Sequence, residues 1–242
     1  MAAIVRANRA YWPDQRQTPE VVMALQGRWA KQIVETPLPA PPTIVAGCDV
    51  HLRGDRGRAT IAVLRFPSLE PIETVYGEAT ITFPYIPGFL SWRELPAIAV
   101  ALGKLTVRPD VLFADGHGLA HPRGFGLACH LSLLSGIPAL GCAKSILRGD
   151  HAPLAAERGA RAPLVYRGKV VGTALRSRDG VKPLYISVGN RLTLEEATDL
   201  VCRCGVKHRL PEPSRFAHLS AQAWARGKDA AQTQLPLLPP GN

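Results

Sequence analysis

The chain has 242 residues, 46% of them hydrophobic, with 29 Lys and Arg against 19 Asp and Glu, a formal net charge of +10. That length fits one α/β domain, or a domain with a tail, able to bury a substantial core. The basic balance favours a polyanionic partner, nucleic acid first and an anionic membrane surface second.

Met1 to Ala10 holds two arginines and no apolar run, which predicts no signal peptide. No stretch approaches the roughly 20 apolar residues of a spanning helix. The five cysteines, Cys48, Cys129, Cys142, Cys202 and Cys204, match no disulfide framework. They predict reduced thiols and a soluble, cytoplasmic protein. Cys202, Cys204 and His208 lack a fourth ligand at zinc spacing, so the two thiols are expected to sit partly buried on a helix.

In chain order, residues 1–17 are an extension and Thr18 to Glu35 predicts an amphipathic helix capped by Thr18, ended by the prolines of Pro37 to Pro42. Ile44 to Val50, Ala59 to Phe66 and Ile72 to Thr82 read as strands, joined by turns at Arg53–Gly57 and Pro67–Pro71. Ser91 to Leu105 reads as a helix with Ser91 and Glu94 in capping-box positions. Asp110 to Ala114 and Ile137 to Cys142 are short apolar strands, separated by a helix over Gly124 to Ser135. Strands around an Arg167-Gly168 hairpin turn, a strand over Pro183 to Val188, and a helix over Thr193 to Cys204 follow. The expected fold is α/β: a mixed sheet, an antiparallel three-strand meander followed by parallel strands, with helices on both faces. One domain spans 18–225, and 226–242 reads as a disordered tail.

Chemistry concentrates at strand ends. Asp49 and Asp115 each end an apolar strand, where a charge is costly unless paired or bound to a metal. If those strands are parallel neighbours, their backbones lie about 5 Å apart and both carboxylates emerge at one sheet edge. Two such acids, with Glu94 from the intervening helix as a third, suit Mg²⁺, which takes oxygen ligands and keeps water positions open. The ion orients water, lowers its pKa and neutralises charge on a phosphate. Each aspartate taken alone is equally a turn or cap residue.

The loop Asp115-Gly116-His117-Gly118-Leu119-Ala120-His121-Pro122-Arg123 gathers two histidines and an arginine. Its glycines allow close approach to a phosphate. His117 and His121 either bind phosphate or water or make packing hydrogen bonds, and Arg123 suits a phosphate. Lys144, after a strand, either stabilises a phosphoryl or leaving oxygen or is solvated. His218 is a further metal or water contact if the C-terminal segment folds back. In Phe83-Pro84-Tyr85-Ile86-Pro87-Gly88 two prolines bracket Tyr85 and Ile86 and stiffen the chain. The segment reads either as an apolar wedge of the kind that unstacks bases or as a turn over the core.

Taken together, Gly47-Cys48-Asp49-Val50, Pro84-Tyr85-Ile86-Pro87-Gly88, Arg93-Glu94-Leu95-Pro96, Asp115-Gly116-His117-Gly118, His121-Pro122-Arg123, Ala143-Lys144-Ser145, Gly172-Thr173-Ala174-Leu175 and Pro183-Leu184-Tyr185-Ile186-Ser187-Val188-Gly189 resemble the endonuclease V family in order and spacing. The resemblance covers roughly residues 20 to 220. It implies a ribonuclease H-like fold and Mg²⁺-dependent cleavage, with Mn²⁺ as substitute, at the second phosphodiester bond 3′ to deoxyinosine in double- or single-stranded DNA. The lesion stays in the nicked strand. It implies metal binding by Asp49 and Asp115, catalytic roles for Asp49, Glu94, Asp115, Lys144 and His218, and substrate contacts from Tyr85, Ile86, Pro87, Gly88, His117, Gly118, His121 and Arg123. His51-Leu52 departs from the pattern, where an aromatic or small polar pair is expected. A monomer with no membrane partner is expected. The alternatives are a related metal nuclease on inosine-containing RNA or branched DNA, and an inactive nucleic-acid-binding module.

Overall fold

The computed structural model describes residues 8–227, so most of the expected disordered tail and the first seven residues lie outside it. One eight-stranded mixed sheet runs in the order β3-β2-β1-β4-β5-β8-β7-β6. β1 (Ile44–Arg53), β2 (Arg56–Arg65) and β3 (Pro71–Thr80) form the expected antiparallel meander. β4 (Val111–Ala114) and β5 (Ala139–Ala143) continue it in parallel with β1. β6 (Arg161–Tyr166), β7 (Lys169–Leu175) and β8 (Leu184–Asn190) close the other wing antiparallel. The parallel centre is covered on both sides, which is why all four residues of β4 are apolar and buried.

The period-2 alternation of β1 divides the core between two layers. Ala46, Cys48 and Val50 pack on one face with α2 (Leu90–Lys104) and α3 (Leu127–Ser135). Val45 packs on the opposite face with α4 (Leu194–Cys204) and α5 (Glu212–Ala225). α1 (Pro19–Ala30) lies outside the first layer, joined to it by an aromatic cluster of Trp29, Trp92, Phe125 and their neighbours. Gly47 faces α5 and has no side chain, so the Pro213 backbone seats directly against β1.

Several boundaries differ from the sequence expectation for visible reasons. β1 and β2 run on to pair Arg53 with Arg56, leaving only Gly54 and Asp55 as the turn, with Gly54 at φ +62°. α1 stops at Ala30 because the following segment is drawn into tertiary bonds: Val34 N–H donates to Asn190 Oδ1, and Arg191 N–H donates to the Val34 carbonyl. The expected capping box at Ser91 and Glu94 does not form. α2 starts from Phe89 with no side-chain cap, which places Ser91 inside the first turn, its hydroxyl buried without a partner. α4, by contrast, starts from Thr193 in a full capping box with Glu196. α5 was not anticipated as an element. Its buried stripe of Phe216, Ala217, Ser220 and Ala221 is too small-sided to stand out as an apolar period.

Candidate active site

The parallel register pairs Cys48 with Ala114, and the Asp115 N–H donates to the Cys48 carbonyl at 3.3 Å. Asp49 and Asp115 therefore stand at one level on neighbouring strands, although only Asp115 follows a strand end; Asp49, expected at the end of its strand, lies inside β1, which runs on to Arg53 in its hairpin with β2. Both line a cleft of about 500 Å³, together with Glu94, Lys144, His218, His51 and the 85–88 tip.

Asp49 is 7% exposed. Its Oδ2 accepts from His218 Nδ1 at 2.8 Å, and His51 Nδ1 lies 3.2 Å from the same oxygen. α5 thus carries the C-terminal histidine onto the first strand, 169 positions away in sequence. Burial pushes the Asp49 carboxyl up, but His218 and His51 outweigh it and hold it below the usual carboxylate range. Asp115 behaves in the opposite way. Burial and then the Asp49 charge raise it, although Lys144 Nζ donates to Asp115 Oδ2 at 2.5 Å. Lys144 follows β5, and its own carbonyl is fixed by Arg209 Nη2 at 2.8 Å. Glu94, on the second turn of α2, faces the same cleft. Burial, Asp49 and Asp115 push it well above the ordinary carboxylate range. Three acids that resist joint ionisation are a donor set a divalent cation relieves. The residues present fit such an ion.

The 85–88 tip stands at the rim. Tyr85 is 70% exposed, while Phe83 and Phe89 on either side are buried edge-to-face at 6.2 Å. Gly88, at φ +88°, turns its carbonyl inward. Three donors converge on that oxygen, each at 2.9 Å: Gln26 Nε2, His121 Nε2 and Arg123 Nη2. Gln26 Oε1 in turn accepts from Arg123 Nε at 2.5 Å, and the guanidinium lies 4.6 Å over the Phe89 ring. His121 Nδ1 accepts the Arg123 N–H at 3.2 Å, so the proton sits on Nε2 and the ring is neutral, as burial lowering its pKa to about 4 requires.

Of the residues singled out in the sequence, Asp49, Tyr85, Ile86, Pro87, Gly88, Glu94, Asp115, His117, His121, Lys144 and His218 meet in this one cleft. Gly118 and Arg123 do not line it: Gly118 N–H donates to Ser187 Oγ at 2.8 Å, and Arg123 braces the tip. His117 Nε2 bonds the Ser145 carbonyl at 3.0 Å, and burial lowers its pKa. Two members were missed. His51 lies two residues beyond Asp49 on a strand, hence on the same face, and that period was the available signal. Gln26 is 1% exposed on the buried stripe of α1 with Val22 and Trp29, a polar interruption of an apolar face. Cys202 and Cys204 sit on α4 as expected, and all five cysteines are free.

Known proteins resemble this chain over most of its length. The family model described as endonuclease V matches residues 27–219. Endonuclease V of Roseiflexus castenholzii is 47% identical over 193 residues, 80% of this chain and 87% of its own. The crystal structure of endonuclease V from Streptomyces avermitilis superposes with a TM-score of 0.83 at 34% identity, covering 89% of this chain and 95% of that one. Endonuclease V of Ciona intestinalis, in complex with a 24mer DNA containing an inosine followed by a ribo-adenosine, shares the fold at a TM-score of 0.73 and 22% identity, covering 84% of this chain and 96% of that one. The sheet order, the neighbouring aspartates within β1 and just past β4, and the matched span place the fold among ribonuclease H-like structures, and the chain belongs to the endonuclease V family.

Proposed function

We propose that this nuclease nicks DNA at the second phosphodiester bond 3′ to deoxyinosine in a Mg²⁺-dependent reaction, leaving the lesion in the nicked strand. The observation that carries the reading is the level pairing of Asp49 and Asp115 beside Glu94, in a cleft whose rim is the exposed Tyr85 tip. The Ciona relative's complex with inosine-containing DNA supports the substrate class.

Asp49 and Asp115 would hold the ion, with Glu94 completing the acid set. When bound, the ion supplies an activated water and offsets charge on the phosphate. Lys144 keeps Asp115 oriented and adds positive charge beside the phosphate. His218 Nδ1–H donates a hydrogen bond to the Asp49 carboxylate, which leaves Nε2 able to meet a water. Tyr85 and Ile86 enter the base stack, with Pro87 and Gly88 fixing the tip. Inosine pairs weakly, so extruding it costs less than extruding a normal base.

A labelled duplex carrying one deoxyinosine tests this, with and without Mg²⁺, beside an undamaged control. A Mg²⁺-dependent nick one nucleotide beyond the lesion's 3′ neighbouring bond is expected. Cleavage of inosine-containing RNA alone would keep the site and change the substrate. Cleavage of neither would leave only a binding module.

A further inference from the structure

The cations of this chain are unevenly spread. The connection from β7 to β8 (176–183) and the connection from α4 to α5 (205–210) hold five Lys and Arg against one Asp. The first lies at the sheet end that carries the acids. Leu175 pairs with Leu184 on either side of it, and Ala143, the residue before Lys144, pairs with Tyr185. None of the residues in either connection is among those lining the cleft.

Arginine and lysine act differently here. Arg209 Nε donates to the Lys182 carbonyl at 2.9 Å, and its Nη2 donates to the Pro183 and Lys144 carbonyls, each at 2.8 Å. Arg178 Nη1 donates to the Lys207 carbonyl, and Ser177 Oγ donates to the Arg209 carbonyl at 2.6 Å. The two connections are thereby one braced unit, tied through a single guanidinium to the backbone of Lys144. A guanidinium bonded to carbonyls keeps its full charge. Lys182 and Lys207 are exposed on the outside of this brace. Like charges gathered this closely repel one another, and a polyanion relieves the repulsion. Lysine meets a phosphate as a point charge, the kind of contact that positions a duplex without reading its sequence.

The layers give the surface a direction. The 85–88 tip leads into α2, in the layer shared with α3, whereas the 205–210 connection joins α4 to α5 in the opposite layer. Asp49 and Asp115 stand at the sheet end between the two. A strand whose lesion is held at the tip, and which is cut on the lesion's 3′ side, continues across that end toward the braced connections.

We propose that Lys182 and Lys207, braced by Arg178 and Arg209, form a phosphate platform outside the cleft that holds the duplex on the 3′ side of the cut. Its direction rests on the nuclease reading above.

Binding of the full chain to deoxyinosine duplexes in metal-free buffer tests it. Lys182→Ala/Lys207→Ala is compared with Lys104→Ala/Lys169→Ala, which removes the same charge from the last residue of α2 and the first of β7. Trimming the duplex to a few base pairs on the 3′ side of the lesion should weaken native binding about tenfold, and trimming the 5′ side much less. The platform variant should bind the untrimmed duplex about tenfold more weakly, with a log–log salt slope shallower by about 2, and should ignore the 3′ trim. The control pair should respond to trimming as the native chain does. A platform variant as sensitive to the 3′ trim as the native chain, a control pair that loses as much affinity, or a 5′ trim that costs more than the 3′ trim would each overturn the proposal. If the native chain with Mg²⁺ nicks no deoxyinosine duplex, the nuclease reading fails, while the salt slopes of the three proteins on an undamaged duplex still decide the platform.

Discussion

A Cβ built on Gly47 would lie 2.1 Å from the Pro213 carbonyl oxygen. The contact is backbone against backbone, so neither side has a rotamer with which to yield. It sets how closely α5 approaches β1, and therefore whether His218 reaches Asp49. Gly47→Ala should cost about 2–3 kcal/mol by overpacking and reduce nicking more than it reduces DNA affinity. Thermal melts and turnover on the deoxyinosine duplex check it. An unchanged melt with normal turnover would remove the positioning role of the glycine.

The acid cluster predicts a trade between stability and activity. The Glu94 carboxyl is raised by burial and by the two aspartates. A carboxyl with a raised folded pKa supports the fold only below its unfolded value and opposes it as pH climbs above that value. At neutral pH in the absence of divalent ions, Glu94→Gln should therefore melt a few degrees higher than the native chain while losing nearly all nicking. Mg²⁺ should raise the native melting temperature more than that of the variant. A lower metal-free melting temperature for Glu94→Gln would contradict the assigned electrostatics.

Tyr85 is solvent-facing, so its removal should leave stability within about 0.5 kcal/mol. Tyr85→Ala should weaken discrimination between inosine and a normal base more than overall DNA affinity. Equal loss on both substrates would make the tip a plain turn.

The anchor of that tip is testable from a distance. Gln26→Leu removes one of the three donors to Gly88 and strands Arg123 Nε. A cost of about 1–3 kcal/mol is expected from the unpaired groups, with a loss of inosine discrimination resembling that of Tyr85→Ala. Retained discrimination in a destabilised Gln26→Leu would confine the glutamine to a packing role.

A buried histidine that does not line the cleft contributes to acid stability. His130 sits among Trp29, Trp92 and Phe125, bonds the Tyr11 carbonyl through Nε2 at 2.7 Å, and burial lowers its pKa to about 4. The unfolded chain takes up this proton near pH 6.5, so the His130 contribution is whole above that point. It declines as pH falls and levels off near pH 4, a loss of about 3 kcal/mol. Denaturant melts across that window should show a shallower acid slope for His130→Phe than for the native chain. His121 contributes a similar slope in both proteins and cancels in the comparison.

The sequence made some of this legible because local chemistry and tertiary role coincided. Asp49 and Asp115 interrupt apolar strands, and their meeting needed only the parallel pairing that strand-helix-strand order implies. Thr193 opens the helix that was expected to begin there. Ser91 failed the same test because its spacing to Glu94 was satisfied while the helix began elsewhere. α5 was hidden by its small buried side chains. Gln26, His121 and Arg123 come from distant segments, and their convergence on one carbonyl leaves no mark in sequence spacing.

The triply donated Gly88 carbonyl has a kinetic consequence. A probe already locked in its working shape pays no ordering entropy on meeting a duplex. Under the proposed function, every base step would then be interrogated by the same rigid edge, and selection would fall to the duplex itself: the pair that yields soonest is the one kept.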